Sequence, residues 1–150
     1  MVNIQRGFIV GFNCCLEGRW LKRNSDGTFT NADEVNIGKK SWHPFLIISH
    51  TNKNNALLTN YFSAIPISSS HSKFNQENGI ALTKDMFSSK GDSLIYNNSI
   101  IKFDSIVSLH KNDYKEDTQI IAEISPASTP YKKILSEVAK NFGCYEILKS

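Results

Sequence analysis

Cysteine is scarce in this 150-residue chain and badly placed for bonding: Cys14 and Cys15 are neighbours, and Cys144 stands alone near the end. Adjacent cysteines do not readily bridge each other, and no CxxC spacing offers a zinc or redox pair. A disulfide scaffold and a zinc ribbon are therefore excluded. Long apolar runs are missing as well, since none nears the ~20 residues that span a bilayer. The first residues lack the basic segment, apolar stretch and cleavage site of an export signal. These absences predict a cytoplasmic, reducing compartment and no membrane partner. A strong excess of one charge is also lacking: 17 Lys and Arg stand against 14 Asp and Glu. The resulting +3 permits a nucleic-acid partner without requiring one.

Familiar catalytic spacings are absent too. The chain has no GxxxxGK[ST] phosphate loop, GxGxxG turn, GxSxG elbow or HExxH helix. Its four histidines (His43, His50, His71 and His110) are not spaced as a metal set. No metal and no cofactor is expected, and any catalysis must use scattered side chains that the fold brings together.

What is present is β-patterning that gives way to one helix. No repeat or linker divides the chain, so residues 1–150 read as one domain. Ile4–Phe12 is β-branched and aromatic, with Gly7 and Gly11 as bulge or bend positions. Asn13–Lys40 is polar, and Asp26-Gly27 marks a hairpin turn between Trp20 and Phe29. Phe45–Ser49 is a continuous apolar run that predicts a strand buried on both faces. After a turn at Lys53-Asn54-Asn55, Leu57–Ile67 predicts a second central strand. Ile80–Leu82, Ser99–Leu109 and Thr118–Ile124 supply the rest, with a turn at Lys111-Asn112-Asp113 between the last two.

Thr129 then reads as a helix cap ahead of Pro130. Tyr131, Ile134, Leu135, Val138, Ala139 and Phe142 recur at helical spacing, and Gly143 is a natural stop. The expected fold is α+β: a compact, strongly bent, barrel-like antiparallel β-sheet closed by a C-terminal amphipathic helix.

Several segments, taken in order, resemble the MazF/Kid endoribonuclease toxins. Arg6-Gly7-Phe8-Ile9-Val10 looks like that family's opening strand. Lys40-Ser41-Trp42-His43-Pro44, followed by Phe45–Ser49, resembles its second strand. Ile65-Pro66-Ile67-Ser68-Ser69 is similar to a later strand end with proline and two hydroxyl residues. Ile100-Ile101-Lys102-Phe103-Asp104 looks like the strand with a basic residue two before an aspartate. Histidine at 43 and lysine at 102 replace arginines, and the family's glutamate-glutamine stretch in the first loop is missing. These departures resemble the type III branch of ToxN, CptN and TenpN, which RNA neutralises. The resemblance implies the MazF/Kid-like barrel, metal-independent RNA cleavage, and an antitoxin RNA as partner, with a higher-order RNA–protein assembly open to it. It assigns catalysis to His43, Ser68, Ser69 and His71. Lys39, Lys40, Trp42, Lys73, Phe74, Lys102 and Asp104 fall to RNA contact.

Chemistry supports those residue types on independent grounds. RNA is cut without metal when its own 2′-hydroxyl attacks the adjacent phosphate. The protein must then move two protons and stabilise a phosphorane. An unperturbed imidazole titrates near pH ~6.5, which suits either proton transfer. Serine hydroxyls can bond the non-bridging oxygens, and lysines can neutralise charge. Which residue is base and which is acid stays open. Plainer readings compete at each position. Ser68–Ser70 reads equally as a solvated turn, Lys102 as the wet face of a strand, and His50 and His110 as surface or turn residues. Rival functions are a non-catalytic RNA-binding barrel and a small β-barrel adaptor for proteins.

Overall fold

A computed structural model describes residues 3–14, 21–23, 25–31, 41–68, 79–88, 99–103, 106–114 and 118–141. Along the chain these form β1 (Phe8–Cys14), β2 (Leu21–Arg23), β3 (Phe29–Asn31), β4 (Ser41–Ile47), α1 (Thr51–Asn54) and β5 (Tyr61–Ser68). They continue with β6 (Ile80–Ala81), β7 (Ile100–Ile101), β8 (Val107–His110), β9 (Gln119–Glu123) and α2 (Thr129–Asn141). The main sheet runs β6-β7-β5-β4-β1-β9, with β8 also on β5, and each recorded pairing is antiparallel. It curls into a half-barrel, with α2 packed on one face. The expected fold class is the one observed. β2 and β3 form a separate hairpin around Asp26-Gly27, where the turn signal lies. Among the described residues, no helix is long and apolar enough to cross a membrane.

Period-2 alternation places every second residue of a strand on the same face. Val10, Phe12, Phe45, Ile47, Phe62 and Ala64 therefore form one core, away from the helix. Ile9, Leu46, Ile65 and Ile67 form a second, against Tyr131, Ile134 and Val138 of α2. Burial on both faces is why Phe45-Leu46-Ile47 reads as an unbroken apolar run. Tyr114 braces the first core edge-on, 6.1 Å from the Phe12 ring and 5.7 Å from Phe62. Burial pushes its hydroxyl pKa up to about 12. In the second core the Tyr131 hydroxyl donates to the Ile47 carbonyl (3.4 Å) and accepts from Arg6 Nε (3.1 Å). Burial raises the Tyr131 pKa and the Arg6 cation opposes that rise. Arg6, the basic residue of the opening segment, thus holds the helix to the sheet.

Several boundaries differ from the sequence expectation: β4 runs Ser41–Ile47 rather than Phe45–Ser49, and Lys53 and Asn54 of the expected turn end α1. Four further differences have a physical reason. β1 begins at Phe8, not Ile4, because Gly7 turns the chain with φ +92°. Its N–H donates to Ile47 and its carbonyl accepts from Ile124, and a Cβ there would stand 2.5 Å from the Ile124 oxygen. β5 begins at Tyr61, since Leu57 and Leu58 lie in the turn ahead of it. The expected Ser99–Leu109 strand divides into β7 and β8, which share one edge of β5. The division falls opposite Pro66, whose carbonyl accepts from the Lys102 N–H (3.1 Å) but which has no N–H to return. At the last helix Ser128, not Thr129, is the cap: its Oγ accepts from the Tyr131 N–H at 3.4 Å. Phe142 and Gly143 lie outside the described residues.

Candidate active site

His43 sits half-buried on β4, directly opposite Phe12 of β1. Its ring lies 6.3 Å from Phe45, which in turn lies 5.4 Å from Phe12, so an aromatic floor supports the imidazole. β4 and β5 pair from Ile47–Ala64 to Phe45–Pro66. Two residues further along each strand stand His43 and Ser68. Alternation puts both on the face that carries Phe45. Lys102 joins them through the next strand, because its backbone bonds to Pro66 and so shares that residue's side of the sheet. Ser68 and Lys102 are, like His43, partly exposed. Three residue types suited to phosphodiester chemistry thus gather from β4, β5 and the end of β7 on one face, at one end of the barrel. The strand pairing brings them together; no local motif does.

Trp42 goes elsewhere. As the neighbour of His43 on an extended strand, it points to the opposite face, the one covered by α2. There its indole lies across Gly11, so closely that a Cβ at residue 11 would fall inside the ring, beside the Ile121 Cδ1. The structure therefore does not group Trp42 with His43. This close approach predicts that Gly11→Ala lifts the indole off the sheet. We expect a loss of about 1–3 kcal/mol in stability, typical of overpacking, and a change in Trp42 emission. An unchanged denaturation midpoint and spectrum would refute the contact.

Of the remaining assigned residues, Lys39, Lys40, Ser69, His71, Lys73, Phe74 and Asp104 lie outside the described residues. By connectivity alone, Ser69 to Phe74 continue from Ser68, and Lys40 leads into Ser41. The two histidines read as surface or turn residues have definite local tasks. His50 Nδ1 accepts from the Asn52 N–H (3.2 Å) and His110 Nδ1 from the Asn112 N–H (3.0 Å), each capping a short helical turn. Among the described residues no group of three or more His, Cys, Asp or Glu side chains could hold a metal ion. Phe12 was not singled out from the sequence, because its position opposite His43 depends on a pairing between residues far apart in the chain.

No protein-family model and no curated protein matches the sequence. The fold does match solved structures. A MazE–MazF structure from Deinococcus radiodurans superposes with a TM-score of 0.56 at 15% identity, covering 99% of this chain and 98% of that one. A mycobacterial endoribonuclease in complex with its cognate antitoxin gives 0.53 at 17% identity, over 95% and 96%. A mycobacterial endoribonuclease described without a partner gives 0.54 at 18%, over 95% and 94%. The chain has the MazF-like fold. At these identities the likeness is one of fold.

Proposed function

We propose that this chain is an endoribonuclease toxin of a toxin–antitoxin system and that it cuts RNA without a metal. The 2′-hydroxyl loses its proton to a base as its oxygen bonds to phosphorus. The P–O5′ bond breaks and the 5′-oxygen takes a proton. The products carry 2′,3′-cyclic phosphate and 5′-hydroxyl ends. His43 performs one proton transfer, and His71 or a lysine performs the other. Ser68 and Ser69 donate to the non-bridging oxygens, with Lys102 supplying positive charge. The observation that carries this reading is the convergence of His43, Ser68 and Lys102 on one face, in a fold found in endoribonucleases.

The test is incubation of purified protein with end-labelled RNA and excess chelator. Cyclic-phosphate fragments support the reading. Salt-sensitive binding with no cleavage would favour the RNA-binding barrel instead. Within the nuclease reading, Ser68→Ala with Ser69→Ala should slow the single-turnover rate by roughly 10²–10³-fold, as loss of oxyanion donors does. RNA affinity should fall much less, because those bonds strengthen as phosphorane charge develops. An unchanged rate would remove both serines from the site.

We take the neutralising partner to be a folded RNA that lies along Lys39, Lys40, Lys73 and Lys102, with bases stacked on Phe74. The missing glutamate-glutamine stretch of the first loop, together with the ToxN-like spacing of His43, Ser68, Ser69 and His71, motivates this choice. Purification at low salt from the native locus should then recover a short RNA of defined ends, released steeply as salt rises. The competing reading is a protein antitoxin. It draws on the neighbours, described as MazE–MazF and as an endoribonuclease with its cognate antitoxin. A nuclease-resistant complex without RNA would decide for it.

A further inference from the structure

Two buried hydroxyl oxygens, Tyr114 Oη and Thr118 Oγ1, have no hydrogen-bond partner among the described residues. Their situation contrasts with that of Asn54, which is wholly buried yet accepts from Ser49 Oγ and donates to the Ile4 and Ser49 carbonyls. Native interiors rarely leave such groups unpaired, because a buried hydroxyl without a partner has lost its bonds to water and gained none. Tyr114 is only 7% exposed, and the burial that raises its pKa keeps the phenol protonated. It can therefore both donate and accept, as can the Thr118 hydroxyl.

Both hydroxyls flank one ring. Tyr114 meets Phe12 edge-on at 6.1 Å. β9 pairs with β1 at Val10–Ile120 and Gly11–Gln119, so the same register carried one residue on sets Thr118 beside Phe12. Directly opposed residues share a face of the sheet, with Cβ atoms ~4.5–5.5 Å apart. On its other side Phe12 stands opposite His43, and its ring lies 5.4 Å from Phe45 in the floor beneath the imidazole. Buried water typically makes about three bonds to polar groups that would otherwise go unpaired. One such molecule is the smallest group that meets a phenol and an alcohol beside the same ring. From these observations we infer that Tyr114 and Thr118 are positioning residues whose hydroxyls share one buried water, clamping Phe12 between them and so fixing the place of His43. The clamp stands without the nuclease reading; only its effect on cleavage rate rests on that reading.

Tyr114→Phe and Thr118→Val each remove one hydroxyl while keeping the shape of the side chain. Chemical denaturation of the full chain, the two single variants and the double variant closes a cycle. Each single variant should lower the midpoint, because it strands the water and the remaining hydroxyl, and the double should lose less than the two losses summed. Two unshared hydroxyls predict otherwise: removing either raises the midpoint, or the effects simply add. The place of His43 is read from its ring resonances, which should shift in both single variants while those of His50 stay. Single-turnover cleavage should fall roughly tenfold in each, with unchanged binding of an RNA that carries 2′-deoxyribose at the cleaved position. Raised midpoints, additive losses, a His43 signal identical to wild type, or an unchanged rate in a protein that cleaves would each overturn the inference. A wild-type chain that cuts no RNA, while midpoints and ring signals behave as expected, would instead remove the nuclease reading and leave the clamp in place.

Discussion

His43→Ala should lower the rate of RNA cleavage by about 10²–10⁴-fold, the range for loss of a general acid or base. The protein should remain folded. His43 is partly exposed at the end of the first core, and its backbone pairing with Phe12 does not depend on the imidazole. The floor beneath it, Phe45 against Phe12, is complete without it. Single-turnover kinetics under saturating protein would isolate the chemical step from binding. The informative comparison is with His110→Ala, which removes a cap 3.0 Å from the Asn112 N–H at the other end of β5. That variant should lose some stability, as cap removal does, and keep its activity. If the His43 variant is folded and cleaves at the wild-type rate, the histidine is structural and the proposed mechanism has lost its proton carrier.

Much of this architecture could be read from the chain because burial and periodicity are local signals. Phe45-Leu46-Ile47 is apolar at every position since both faces of β4 are covered, and the helix stripe is apolar only where α2 meets the sheet. The same signals failed where apolar residues are not buried. Leu57 and Leu58 extended the expected strand by several residues because an apolar pair looks alike in a strand and at a turn tip. Pro66 was legible as part of a motif, but its effect on the strand opposite it was not. A missing N–H at Pro66 interrupts the strand around Lys102, 36 residues further along the chain.

The candidate site divides along the same line. His43, Ser68 and Lys102 were found by resemblance and residue chemistry, while their common face follows from strand register. Register is a long-range property, and a shift of one residue would have turned His43 away and Trp42 inward. Trp42 illustrates the cost of ignoring it, because adjacency in sequence means opposite faces in a strand. The proposed roles of Ser69, His71, Lys73 and Phe74 rest on the resemblance and on residue chemistry, since these four lie outside the described residues.

The second large effect concerns the helix, where two neighbouring positions should behave differently. Ile134→Ala should destabilise the fold by about 2–5 kcal/mol. Ile134 is completely buried within the core that contains Leu46, Ile65 and Tyr131, and close packing there leaves no easy way to fill the space lost. Leu135→Ala should cost clearly less, about 1–2 kcal/mol, since part of that side chain already faces solvent. Helical spacing alone grouped the two as equals, because a stripe of apolar positions does not mark its own edge. Chemical denaturation of both variants, with a common slope as the check on two-state behaviour, would measure the difference. Equal midpoints, or a larger loss at Leu135, would mean that α2 is rotated on the sheet from the position described. Such a rotation would also withdraw Tyr131 from the Ile47 carbonyl and from Arg6. Arg6→Ala would then be silent, whereas the observed packing predicts a measurable loss at that position as well.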